Sequence, residues 1–264
     1  MESNCKSIIR AAYHSFRGTV FVGTVLLVAS GAQAQNLFVS DFDTKCIYEF
    51  TPSGTQSTFT SGLVNPAGLA FDSVGNLFVA DRNLNSSFIY AFTTQGFRST
   101  IADGLNLPNG LAFDSAGDLF ESDWGSGNIY KFTPSGVKNT FASGLIHPIA
   151  LAFNSSGNLF VANQGSGNIY EFTPSGVRST FASGLSTLSG LAFNSAGDLF
   201  VSTGGPPGTG YIYEFTPDGT RSTFASGLSA PYGLAFHGVM LPVPEPSAFG
   251  LLVVGAVAFL VRRR

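Results

Sequence analysis

The chain of 264 residues holds two cysteines, two methionines, three histidines and one tryptophan, and only 11% of it is charged. With Cys5 close to the N-terminus in a segment that reads as removable, Cys46 stands alone. No intramolecular disulfide can then staple the fold, so packing has to hold it. Cys46 takes a step where other copies of the repeat described below have Asn or Phe, and reads as a half-buried small residue. His147 and His237 lack the sequence company of a metal motif, and no nucleophile elbow or phosphate loop occurs. Basic residues are also scarce. Setting aside Lys6, Arg10, Arg17 and the three arginines that end the chain leaves seven Lys and Arg, against fourteen Asp and Glu once Glu2 and Glu245 are set aside. An acidic body does not suit nucleic acid or an anionic lipid surface.

What the chain has in excess is glycine (32) and phenylalanine (26), a skew that points to repetition. Copies open on Asn or Asp followed by Leu-Phe at Asn36, Asn76, Asp118, Asn158 and Asp198, a period of 40 to 42 residues. Each copy carries four short apolar runs, as in Leu159–Ala162, Ile169–Phe172, Ser179–Phe181 and Gly190–Phe193, separated by Gly-, Ser-, Asn- and Pro-rich turns. A period of this length with four strands per copy is the register of propeller blades. The first copy lacks a Leu-Ala-Phe strand before it, and the chain ends its last copy on an unpartnered Gly233-Leu234-Ala235-Phe236. The fold expected is therefore all-β: a five-bladed β-propeller of four-stranded blades, closed by the C-terminal strand pairing with the N-terminal blade. Closure removes the free edges that an open array would leave.

The two ends read as sorting segments. Lys6, Arg10 and Arg17 precede the apolar run from Val20 to Ala29 and the small residues of Ala32-Gln33-Ala34. That order marks residues 1–34 as a secretory signal for signal peptidase, with Gln35 as the new N-terminus. Residues 35–238 form the propeller, and 239–247 a Pro-rich linker. In 248–264 an apolar stretch runs to Val261 and ends on Arg262, Arg263 and Arg264. As a helix that stretch is about 21 Å long, short of the roughly 30 Å hydrocarbon core, which suits a temporary membrane anchor. The arginines stay cytoplasmic by the positive-inside rule, leaving the body outside.

Pro244-Glu245-Pro246, the apolar stretch and the basic stop together resemble the PEP-CTERM sorting signal of Gram-negative bacteria. The resemblance implies membrane anchoring, processing by an exosortase near Pro244, Glu245 and Pro246, and a final place at the cell surface or outside the cell.

Asn76-Leu77-Phe78-Val79-Ala80-Asp81, Pro108-Asn109-Gly110-Leu111-Ala112-Phe113 and Asn128-Ile129-Tyr130-Lys131-Phe132 resemble NHL-type repeats and gluconolactonase-like propellers. The latter hold a divalent metal through Glu, Asn and Asp residues just before the glycine of inner strands. The matching steps here are Ala67, Asn109, Ile149, Ser189 and Tyr232, so only Asn109 fits, and one amide cannot hold a hard cation. No metal, cofactor or catalytic group is expected. A second polar series, Asp41, Asp81, Asp123, Asn163 and Thr203, reads as turn-capping, with Asp81 and Asp123 the exceptions to consider because they adjoin variable loops.

Two kinds of connector hardly vary among the copies and two differ in every one. In an antiparallel blade the two variable kinds share one face of the ring, where specificity resides in repeat scaffolds. The candidate ligand-binding residues are Arg82, Asn109, Trp124, His147 and Tyr232. Trp124 suits stacking on a sugar or aromatic group, and equally suits filling a gap between blades. The reading is an exported, non-catalytic binding propeller whose company suggests extracellular polysaccharide as partner. A lactonase with a degenerate site around Asn109, or a structural surface protein, are the alternatives.

Overall fold

The computed structural model describes residues 36–51, 53–84, 86–229 and 231–234. The leader, the end of the last repeat and the sorting tail with Pro244, Glu245, Pro246, Arg262, Arg263 and Arg264 lie outside the described residues. Within them there are nineteen strands and no helix. Blade 1 has three strands, β1 (Leu37–Asp41), β2 (Cys46–Phe50) and β3 (Gln56–Thr60). Blade 2 has β4 (Pro66–Phe71), β5 (Leu77–Asp81), β6 (Ser87–Phe92) and β7 (Arg98–Leu105). Blade 3 has β8 (Pro108–Phe113), β9 (Leu119–Asp123), β10 (Asn128–Phe132) and β11 (Lys138–Ala142). Blade 4 has β12 (Pro148–Phe153), β13 (Leu159–Asn163), β14 (Asn168–Phe172) and β15 (Arg178–Ala182). Blade 5 has β16 (Leu188–Phe193), β17 (Leu199–Thr203), β18 (Gly210–Phe215) and β19 (Arg221–Leu228). Neighbours within a blade are antiparallel. The architecture is the all-β, five-bladed propeller that the repeat period implies.

The phenylalanines are the mortar between blades. The Phe that follows Leu in each second strand meets, edge to face, the Phe that ends the inner strand of the next blade. The pairs are Phe38–Phe71, Phe78–Phe113, Phe120–Phe153 and Phe160–Phe193, with ring centroids 4.9–5.1 Å apart. That geometry adds about 0.5–1.5 kcal/mol per pair beyond the area buried. Strands β9, β13 and β17 are buried along their whole length, as expected of strands covered by a neighbouring blade on each side.

Outermost strands are the exposed ones, and each of β7, β11, β15 and β19 opens on a basic residue. Arg98, Lys138, Arg178 and Arg221 lie over Tyr90, Tyr130, Tyr170 and Tyr213 at 4.1–5.1 Å from the ring centroid. A charge held on the ring protects the outer edge strand of blades 2 to 5. Lys131 is bound to Asp118 and reaches Asp114 at 4.0 Å. Five of the seven basic residues of the body are thus engaged in holding the fold.

At the seam, Pro231–Leu234 lies beside β16. The Ser189 hydroxyl donates to the Pro231 carbonyl at 2.7 Å, and the Ser202 hydroxyl to the Tyr232 carbonyl at 3.2 Å. The second bond repeats a device found at other junctions, where Ser40 donates to the Ala67 carbonyl and Ser122 to that of Ile149. The segment therefore continues the ring of inner strands on its blade 5 side. On the other side no atom of the described residues lies within 4 Å of a Cβ added at Gly233. In β1, Leu37 is 51% and Val39 37% exposed, whereas Leu77 and Val79 at the same steps of β5 are 1% and 0% exposed. Blade 1 thus has a place for an inner strand. The pairing expected of Ala235 and Phe236 with β1 falls outside the described residues.

Candidate functional site

The two variable kinds of connector do gather on one face, because they hydrogen-bond each other. The amides of Arg82, Trp124, Gln164 and Gly204 donate to the carbonyls of Asn65, Leu107, His147 and Thr187, at 2.8–3.2 Å. To aim those carbonyls, Leu107, His147 and Thr187 adopt φ values of 61°, 53° and 49°, unusual for residues other than glycine. The strain recurs at one step of successive blades, so it belongs to the scaffold and not to a single site.

Asp81 and Asp123 hold the same loops from below. The backbone amides of Val64 and Asn65 donate to the Asp81 carboxylate at 2.7–3.0 Å. Those of Asn106 and Ser126 donate to Asp123 at 2.7 and 2.9 Å. Asn163 does the same for Ile146 at 2.8 Å, and Asp41 caps its own turn through Thr44. Asp81 and Asp123 are therefore not exceptions to the capping series. Both are buried to within 2% with their oxygens facing loop amides, and the variability of the adjoining loops is carried by other side chains. Asp123→Ala would strand two amides, and is expected to lower unfolding free energy by about 1–3 kcal/mol in urea titration, while Asp123→Asn keeps most of it.

Of the candidate residues, Trp124 and His147 come together. Trp124 follows β9 of blade 3, His147 precedes β12 of blade 4, and their rings stack at 3.9 Å with planes 9° apart. The indole is half-buried and the imidazole exposed. One face of the tryptophan is taken by a side chain of the next blade, so any group stacking on the indole would have to use its other face or displace the imidazole. Arg82 is half-buried in the blade 2 loop, and its Nε is buried with no hydrogen-bond partner among the described residues. Asn109 is 5% exposed, and its carbonyl lies against Gly68, where an added Cβ would sit 2.0 Å from it. Tyr232 is 61% exposed beside β16. Arg82 follows β5 of blade 2, Asn109 lies in β8 of blade 3 and Tyr232 lies beside blade 5. Ser189, at the step of Asn109 in blade 5, has its hydroxyl engaged with Ser202 and Pro231.

Along the steps Ala67, Asn109, Ile149, Ser189 and Tyr232 no carboxylate occurs. Among the described residues no three His, Cys, Asp or Glu side chains converge as a metal would require.

The structure also contains a group that the motifs did not single out. Glu121 of β9 is 0% exposed, and neither carboxylate oxygen has a hydrogen-bond partner among the described residues. Burial, then the Asp123 carboxylate, push its pKa well above the usual range, with Lys138 opposing. The signal was available in the repeat itself, where the same step is Val39, Val79, Val161 and Val201.

Residues 242–264 match the PEP-CTERM protein-sorting motif. That motif implies export, anchoring in the membrane and processing by an exosortase. No curated protein matches the chain by sequence. Solved structures of similar fold include a gluconolactonase from Xanthomonas campestris, with 20% identity over 76% of this chain and 75% of that one and a TM-score of 0.65. A virginiamycin B lyase from Staphylococcus aureus has 15% identity over 76% and 70%, with a TM-score of 0.62. A chain of a nidogen/laminin complex has 22% identity over 77% and 82%, with a TM-score of 0.67. The neighbours are gluconolactonase-like and NHL-type propellers, and at these identities they establish the fold alone.

Proposed function

We propose that the chain is a non-catalytic binding propeller, its propeller formed by residues 35–238, carried out of a Gram-negative cell behind a cleaved signal and left at the surface or in the matrix after exosortase processing of the C-terminal tail. The observation that carries this reading is the contrast between the ring's centre and its variable face. Channel-mouth steps hold no carboxylate, while the varied loops are clamped on one face by backbone bonds and present the Trp124–His147 stack. Flat aromatic surface with polar loops around it suits a saccharide, and extracellular polysaccharide is the partner we assign.

Residues 35–243, purified and titrated against bacterial exopolysaccharide fragments, should bind saturably without turnover. Trp124→Ala should weaken binding at least about tenfold, the cost of removing an aromatic anchor. Glycan binding unchanged by this substitution would sink the assignment of the stack. A second reading, a lactonase, is favoured by Asn109 alone, the one match at the metal-bearing steps. Metal-dependent lactone hydrolysis abolished by Asn109→Ala would replace the first reading with it.

A further inference from the structure

The face opposite the variable loops carries a cavity of about 1050 Å³. It is bounded by the invariant turns that begin at Asp72, Asp114 and Asn154, and runs outward between blades 2 and 3 to Ile101 and Phe132. At its outer end it meets one departure from the repeat. At three other junctions the outermost strand supplies a phenylalanine that meets the third-strand phenylalanine of the next blade. These are Phe59 on Phe92, Phe141 on Phe172 and Phe181 on Phe215, at 5.7–5.8 Å. In blade 2 that step is Ile101, which is 37% exposed, so Phe132 has an aliphatic side chain where its counterparts have a ring.

We infer that the groove between blades 2 and 3 is a binding site for one aromatic ring of a small molecule, neutral or cationic, seated where the missing phenylalanine would be. The repeat supplies the shape argument, since the fold accepts a ring at this step in three other junctions. Charge supplies the selectivity. Asp72 and Asp114 stand at the rim. Lys131 lies over the Phe120 ring and is tied to Asp118 and Asp114, so among the described residues no Lys or Arg lining the groove is free to receive an anionic ligand. An aromatic carboxylate is therefore disfavoured relative to an aromatic amine or a phenol. The site is independent of the saccharide face, being formed by the other set of turns.

The test uses the exported, processed protein and three probes of one size: 2-phenylethylamine, p-cresol and phenylacetate, followed by calorimetry and by thermal shift. The amine and the phenol should saturate one site, with phenylacetate at least about tenfold weaker. Ile101→Phe should fill the groove, abolish binding of all three and raise the melting temperature, while Trp124→Ala should leave binding as it is. Should Ile101→Phe disturb folding, Ile101→Ala provides the second arm: it should admit indole, which the native groove binds less well than p-cresol. Absence of saturable binding for every probe, or binding undiminished by Ile101→Phe, would overturn the inference. So would dimerisation of the native protein that Ile101→Phe abolishes, which would assign the groove to a second copy, or cross-linking of the groove to residues beyond 234 of the same chain.

Discussion

Replacing Glu121 with valine is expected to stabilise the protein by about 1–3 kcal/mol at neutral pH, the usual cost of burying a polar group without a partner. For a body of this size that is roughly 2–10 °C in melting temperature. Strand β9 accepts the substitution without repacking of the backbone, because valine stands at the same step in the other copies and is fully buried in β5, β13 and β17. Around Glu121 the blade 2–3 cluster is apolar, with Ala80, Ile89, Leu105, Leu111, Leu119 and Phe132 buried. The charged groups that bear on it are Asp123 of its own strand and Lys138 of β11, while Tyr130 of β10 lies opposite it in register.

The same group makes stability pH-dependent in a definite direction. In the folded protein the carboxyl keeps its proton above the range, near pH 4.3, where a glutamate of the unfolded chain releases it. Across that window the folded state binds more protons, so stability falls as pH rises, by at most about 1.4 kcal/mol per unit, and levels off above the raised pKa. Glu121→Val should abolish that decline. Urea midpoints measured from pH 4 to 9 check it. A variant no more stable than the native chain, with the same slope, would show that the carboxyl is partnered in solution.

Gly190→Ala is the second large effect, a loss of about 2–4 kcal/mol. A Cβ there would lie 2.5 Å from the Tyr232 carbonyl and 2.8 Å from the Ser202 hydroxyl. Neither can retreat without breaking the bonds that seat Pro231–Leu234 beside β16. Gly190 lacks a positive φ, so the cost is steric and reports on that segment. Alanine is native at the equivalent step of blade 4, Ala150, which shows that the strand itself tolerates the side chain. Gly233→Ala gives the complementary reading. With no atom of the described residues near a Cβ at Gly233, it should cost less than about 0.5 kcal/mol. A loss matching that of Gly190 would mean that the inner strand is drawn in against blade 2 and closes the ring. The exposed Leu37 and Val39 of β1 are the surfaces such closure would cover. Equilibrium unfolding of the two variants, with hydrogen exchange of β1, decides between them.

Spacing of Leu-Phe and Leu-Ala-Phe made the blades legible in the sequence, because each strand's apolar run is bounded by turn residues with few alternatives. The capping role of Asp41 and Asn163 was legible for the same local reason. Asp81 and Asp123 were harder to place, since a carboxylate beside a changing loop looks the same whether it serves the loop's backbone or a ligand. The contact between Trp124 and His147 joins residues 23 positions apart in different blades, and periodicity is silent on such lateral meetings. Glu121 and Ile101 were visible as departures from the repeat, at positions 121 and 101 of otherwise regular strands. Their meaning needed the third dimension: both fall at the same blade junction, one inside its apolar cluster and one at its rim.

The loops of the variable face are tied down by main-chain amides and carbonyls at positions 82, 124, 164 and 204, whatever side chains those positions bear. Arg, Trp, Gln and Gly already occupy them within one molecule. Side-chain identity is thereby uncoupled from folding: a lineage, or a display library randomised at these four codons, can change what the loops present while every blade keeps its architecture.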